Sequence, residues 1–114
     1  CGSFDEERNV LTIVEFTLPA TPGDYVNSQW KIQDNPFSGD AVNAYNDGPM
    51  ENGTQLGPFY EIESSSPAAQ LKPGEKIEHK HRTLHFMGKE ASLDAISRKI
   101  LGVGLNDIRN SFPQ

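Results

Sequence analysis

The amino-acid sequence predicts an all-β protein, an antiparallel sandwich with a C-terminal helix. Hydrophobic residues make up 35% of the 114 residues, and 10 Gly and 8 Pro indicate many turns and short elements. Alternating apolar segments predict four or five strands between about residues 10 and 86, and helical spacing predicts a cap over about 90–112. A sheet of that size needs a second layer, and the length fits a single domain or a domain fragment.

The first two strands are predicted at residues 10–18 and 25–33, separated by the turn sequence TPGD. Residues 10–18 are apolar on both faces, which predicts an interior strand. In residues 25–33 one face carries Val26 and Ile32, while the other is a row of amides.

The apolar residues of the segment 34–57 have no regular spacing, and the segment is rich in Asn, Asp, Gly and Pro. A loop of this length inside a compact domain is uncommon unless it is functional or disordered. Because Phe37, Val42 and Tyr45 supply apolar anchors, we expect an ordered, functional loop.

Two further strands are predicted at residues 58–64 and 75–86, and two helices follow. Apolar residues with helical spacing begin at Leu93, with Ser92 as the N-cap and Gly102 as the end of the helix. A second short helix is expected to pack three apolar side chains, those of Leu105, Ile108 and Phe112.

The charge balance restricts the partners. With 16 acidic and 10 basic residues the net charge is −6, which argues against nucleic acid and anionic membranes as partners. No run approaches the ~18 apolar residues of a membrane span. Neutral or cationic partners fit better.

The single cysteine, Cys1, excludes an internal disulfide. A Cys-Gly-Ser start is compatible with a processed bacterial lipoprotein, and a chain that is part of a longer protein explains the missing Met equally well. We expect a periplasmic or extracellular location rather than a cytoplasmic one.

Three histidines, His79, His81 and His85, share one face if residues 75–86 form a regular strand. This spacing is compatible with a metal site of a small cupin-like protein or with a solvated strand. The cupin-like pattern lacks its glutamate and its later histidine, so we predict neither a metal nor another cofactor.

Glu61 and Glu63 form a carboxylate pair on one face of their strand, about 7 Å apart. Carboxylates at such distances act in glycosidases, although an alternating solvent-facing strand gives the same spacing. Phe59, Tyr60 and Trp30 lie nearby in the predicted sheet, and aromatic rings next to amides and carboxylates favour sugar binding.

A set of short motifs runs through the second half of the chain: Gly57-Pro58-Phe59, Ile62-Glu63-Ser64, Pro67-Ala68, Leu71-Lys72-Pro73-Gly74-Glu75 and Leu84-His85-Phe86. With these motifs the chain resembles the C-terminal part of the aldose 1-epimerase (galactose mutarotase) superfamily, and more closely an uncharacterised bacterial family of mutarotase-like proteins. The resemblance covers about residues 10–112 and includes DYVNSQWKIQ and GDAVNAYNDGP.

The resemblance implies a β-supersandwich, of which this chain would form the last strands and a cap. It also implies that Glu63 is the general base that takes the proton from the anomeric hydroxyl of a sugar. In the enzymes a histidine from the middle of the chain protonates the ring oxygen. None of the three histidines matches that position.

We therefore predict a carbohydrate-active or carbohydrate-binding protein, without turnover as this piece. Alternatives are a non-catalytic glycan-binding module, the cupin-like metal-binding protein, and a piece that pairs through its sheet edges with the rest of its parent chain or with a second copy. Glu63 is the predicted catalytic residue. The predicted substrate-binding residues, chosen by type and position, are Asn27, Gln29, Trp30, Asn43, Asn46, Asp47 and Glu61.

Overall fold

The computed structural model describes residues 1–29 and 31–111. As predicted, the described residues are mostly β, with antiparallel sheets followed by C-terminal helices. No helix in this part of the chain has the length and apolar character needed to cross a membrane. The elements are β1 (Gly2–Asp5), β2 (Val10–Phe16), β3 (Val42–Asn46), β4 (Tyr60–Ser64), β5 (His81–Met87), α1 (Glu90–Leu101) and α2 (Leu105–Arg109).

Contacts divide the chain into two compact units. Unit 1 contains Cys1–Glu15 and the chain from His81 onward, and unit 2 contains Phe16–Lys80.

Unit 1 contains a three-stranded sheet in the order β1-β2-β5. The pairing of β1 with β2 is antiparallel and runs from Gly2 opposite Ile13 to Asp5 opposite Val10. The prediction of an interior strand from residue 10 is confirmed, because β2 lies between two partners and its middle is buried.

The core of unit 1 joins β2 to the helices. Four side chains with at most 1% exposure form it: Leu11, Ile13, Leu93 and Leu105. Six partly buried side chains pack around them: Phe4, Leu84, Phe86, Ile96, Leu101 and Ile108. The helical spacing of the apolar residues in α1 therefore corresponds to a buried face, as predicted.

For α1, the predicted C-terminal end is confirmed and the predicted N-cap is not. Gly102 ends α1 with φ 78°, the left-handed conformation that glycine adopts at low cost. The prediction of Ser92 as N-cap is wrong, because α1 begins at Glu90 after Lys89. At α2 the Asp107 carboxylate accepts the Gly104 N–H at 2.8 Å. Phe112, predicted to pack with α2, lies outside the described residues.

Unit 2 contains the antiparallel pair β3-β4, whose first strand falls inside the loop predicted over 34–57. The prediction of a strand over 25–33 is wrong, since its described residues form irregular structure with one isolated bridge, Tyr25 to Ser38. The amides provide the reason. Asn27 Oδ1 accepts the Gln29 N–H at 3.2 Å, and Gln33 Nε2 donates to both of their carbonyls at 3.1 Å. Such local hydrogen bonds compete with a strand ladder.

The last strand is also shorter than predicted. β5 begins at His81, and residues 75–80 lie outside it. The Lys80 N–H donates to the side-chain hydroxyl of Thr17 at 3.1 Å, so a side chain supplies its acceptor.

Candidate functional site

The register of β3 and β4 places an amide, a phenol and two carboxylates on one face of the sheet. Asn43 lies directly opposite Glu63, and Tyr45 lies directly opposite Glu61. Side chains at directly opposed positions of an antiparallel pair are neighbours on the same face. Because side chains alternate between the two faces of a strand, Glu61 and Glu63 lie on the opposite face from Ile62. They share that face with the polar and aromatic side chains of β3.

This face forms the floor of an open groove with a volume of about 460 Å³. Eight residues, all of unit 2, line it: Ser28, Asn43, Ala44, Tyr45, Leu56, Phe59, Glu61 and Glu63. The volume is in the range of small-molecule sites, ~300 to 1,000 Å³.

Asp47 holds the aromatic side of the groove in place. Its Oδ1 accepts the Tyr45 hydroxyl at 2.6 Å, and its Oδ2 accepts the Gly57 N–H at 2.7 Å. Its backbone N–H donates to the Phe59 carbonyl at 3.1 Å. A carboxylate that is only 8% exposed thus fixes the phenol of β3 and the loop that leads to Phe59.

These hydrogen bonds shift two pKa values in opposite directions. The Tyr45 hydroxyl, and after it the Gly57 N–H, lower the pKa of the Asp47 carboxyl because both stabilise the ionised form. The same hydrogen bond raises the pKa of the Tyr45 phenol, because the neutral hydroxyl is the donor. Asp47 is therefore ionised and Tyr45 neutral near pH 7.

Two aromatic rings form one wall of the groove. The ring centroids of Tyr45 and Phe59 are 6.0 Å apart, and the ring planes are tilted by 40°. The separation is within the range of favourable aromatic pairs, about 4.5 to 7 Å. Both side chains remain partly exposed, Tyr45 at 46% and Phe59 at 38%, so their rings can contact a ligand.

Polar groups line the rest of the groove. The Ser28 hydroxyl donates to Asn43 Oδ1 at 2.9 Å, which orients the amide and leaves its N–H groups as donors. Glu61 and Glu63 are exposed, and neither forms an ion pair within residues 1–29 and 31–111. The groove can therefore accept hydrogen bonds through two carboxylates and donate through one amide.

Of the predicted site residues, Asn43, Glu61 and Glu63 lie together in the groove. Asn46 lies on the opposite face of β3, across from Tyr60. Asp47 is placed below the aromatic wall, where both of its carboxylate oxygens accept hydrogen bonds from the protein.

The other predicted residues lie elsewhere. The Asn27 side chain binds Ser38 and the Gln29 N–H within an irregular segment. Gln29 lines a separate surface depression with Asn35. Trp30 lies outside the described residues.

Tyr45 and Ser28 are groove residues that the sequence alone did not assign. The spacing Asn43-x-Tyr45 is a period-of-two signal that could have placed both side chains on one face of a strand. No comparable local signal exists for Ser28, because its contact with Asn43 joins residues 15 positions apart.

The histidines have hydroxyl partners. His79 bridges Ser64 Oγ, at 2.9 Å, and Thr17 Oγ1, at 3.5 Å. His81 contacts Thr83 Oγ1 at 3.1 Å. His85 contacts Thr12 Oγ1 at 3.0 Å. The described part of the chain contains no group of three His, Cys, Asp or Glu residues arranged to hold a metal ion.

Fold and site together define a β-rich protein with C-terminal helices and an open groove of aromatic and polar side chains. The chain belongs to a family of unknown function, DUF6786, whose sequence model matches residues 1–112. No curated protein and no solved structure gave a match.

Proposed function

We propose that this protein binds a carbohydrate in the β3-β4 groove. One observation carries the proposal: the rings of Tyr45 and Phe59 lie in the same groove as the carboxylates of Glu61 and Glu63. A pyranose presents an apolar C–H face, which packs on a ring, and hydroxyl groups, which donate to carboxylates. The Asn43 amide adds donors for the ring or hydroxyl oxygens.

The experiment is a titration of the ¹⁵N-labelled protein with neutral mono- and disaccharides, followed by NMR. Binding in the groove predicts saturable shifts of the amide signals of Asn43, Tyr45 and Glu61. Residues of unit 1, such as those of α1, serve as the internal reference. If neither these sugars nor charged sugars nor larger glycans change the groove signals, the proposal is wrong.

The resemblance to aldose 1-epimerases adds a finer proposal, in which Glu63 removes the proton from the anomeric hydroxyl. Its exposed carboxylate lines the groove, where a bound sugar would be in reach. The groove-lining residues of the described chain include no histidine to protonate the ring oxygen. The geometry therefore supports binding more directly than conversion, which keeps a non-catalytic glycan-binding module as the second candidate.

Polarimetry separates these two candidates. If Glu63 acts as a base, the protein accelerates the mutarotation of freshly dissolved α-glucose or α-galactose, and Glu63→Gln removes the acceleration. If neither protein accelerates mutarotation while both bind the sugar, the function is restricted to binding, and if both accelerate it equally, Glu63 is not the base.

The same resemblance extends the proposal to the fold and its assembly. We propose that the antiparallel strands belong to a sandwich of the mutarotase type. The edge strands of the two-stranded sheet β3-β4 would then pair with further strands, for instance those of a second copy. Light scattering tests the pairing of copies, and a monomer at all concentrations would contradict it.

A further inference from the structure

The groove carries a negative charge that the described residues do not neutralise. Glu61 and Glu63 both line it, and the eight groove residues include no Lys, Arg or His. Unit 2 as a whole carries nine Asp and Glu against four Lys and Arg, and of these cations Lys80 is paired with Glu78 outside the groove. A ligand that enters the groove therefore meets two carboxylates without a resident counter-ion.

The aromatic wall favours the same sign of charge by a different physical effect. A cation over the face of a Tyr or Phe ring is attracted by the ring quadrupole. Asp47 accepts the Tyr45 hydroxyl and donates its backbone N–H to the Phe59 carbonyl, so the protein itself positions the Tyr45 phenol and the backbone at Phe59. Aromatic rings next to carboxylates are the combination that recognises alkylammonium groups.

We propose that the groove selects amino sugars, in which the pyranose contacts the aromatic wall and the ammonium group lies between Glu61 and Glu63. This inference rests on the proposed carbohydrate binding and names the substrate class. Carboxylates two residues apart on a strand are separated by about 7 Å, so one ammonium can approach both to within about 4 Å. A uronic acid would bring a third carboxylate to the same place and is disfavoured.

The experiment compares four sugars that differ at one position or in charge: glucose, glucosamine, N-acetylglucosamine and glucuronate. Affinities are measured by NMR titration at about pH 6, where the amine is protonated. We expect glucosamine to bind about five to ten times more tightly than glucose and N-acetylglucosamine, from two weak ion pairs between its ammonium group and the two carboxylates. Raising the salt from about 0.01 M to about 1 M should reduce this preference.

Three variants locate the effect. Glu61→Gln and Glu63→Gln should each lower the affinity for glucosamine by a larger factor than the affinity for glucose, because each removes a negative charge but keeps a hydrogen-bond acceptor. Glu51→Gln is the matched control, because Glu51 belongs to the same unit and does not line the groove. Equal affinity for glucosamine and glucose would overturn the inference and leave carbohydrate binding intact. If none of the four sugars binds and larger glycans do not either, both the inference and the proposed function are wrong.

Discussion

The Tyr45 hydroxyl donates a hydrogen bond of 2.6 Å to Oδ1 of Asp47, the residue that directly follows β3. Asp47 is the one buried polar group of unit 2 among the described residues, with 8% exposure. Since its second carboxylate oxygen accepts the Gly57 N–H, one side chain couples the end of β3 to the loop before β4. Protonation of this one carboxyl group would therefore weaken two hydrogen bonds beside the groove.

This relationship predicts an acid-sensitive unit 2. Folding lowers the pKa of Asp47 below its ordinary value of 3.8, chiefly through Tyr45. A lowered folded-state pKa stabilises the fold above the ordinary value, and the stabilisation is lost as the pH falls through the folded-state pKa. Urea unfolding at about pH 7 and about pH 3 should therefore show a loss of stability at low pH that Tyr45→Phe makes smaller.

Tyr25→Phe is the matched control for that measurement. Tyr25 lies in the same unit, and within the described residues its hydroxyl forms no hydrogen bond. Its replacement should leave the pH dependence as in the original protein. The assignment to Asp47 fails if Tyr25→Phe and Tyr45→Phe change the pH dependence equally.

The aromatic wall predicts a loss of sugar affinity when Phe59 is removed. Phe59→Ala deletes one ring of the wall, and an aromatic contact is worth about 1 kcal/mol, so affinity should fall about fivefold to tenfold. Phe37→Ala removes an aromatic side chain that is 54% exposed and does not line the groove, so it should bind as the original protein does. NMR or calorimetric titration with the best-bound sugar measures both. Similar losses in the two variants would argue against the wall as the contact surface.

Those parts of the fold that bury a periodic apolar face could be predicted from the sequence. The strand from residue 10 and the helix that ends at Gly102 have such faces, and both are present. The segment 25–33 is apolar on one face only and carries amides on the other, and in its described residues these amides bind neighbouring backbone groups in place of a strand ladder. Alternation alone therefore does not predict a strand.

The candidate site was predictable only within single strands. Spacing places Glu61 and Glu63 on one face of β4, and they do line one groove. That Tyr45 lies opposite Glu61 depends on the register of two strands, which the polar sequence of β3 does not specify. The buried position of Asp47 follows from its contact with Gly57, 10 residues away, and has no local signal.

The core of unit 1 predicts that truncation of one leucine of α1 lowers the unfolding free energy by a large amount. Leu93 is 1% exposed and packs with Leu11 and Ile13, so Leu93→Ala should leave a cavity and cost about 2 to 5 kcal/mol of unfolding free energy. Ile100 lies on the same helix but is 42% exposed, and Ile100→Ala should cost much less. Thermal or urea unfolding gives both values. Equal destabilisation would mean that α1 does not bury the face centred on Leu93.

At the end of α1, we expect that replacing Gly102 destabilises the protein through backbone conformation alone. Its φ of 78° lies in the left-handed region, and a Cβ built there meets nothing within 4 Å. Gly102→Ala should therefore destabilise the protein by about 1 kcal/mol through backbone strain alone.

Gly88 offers a matched control, because a Cβ built there also meets nothing within 4 Å and its φ is not positive. Gly88→Ala should be neutral or slightly stabilising, since alanine lowers the entropy of the unfolded chain. Urea unfolding of both variants checks this, and a stability for Gly102→Ala as high as that for Gly88→Ala would contradict the left-handed helix end.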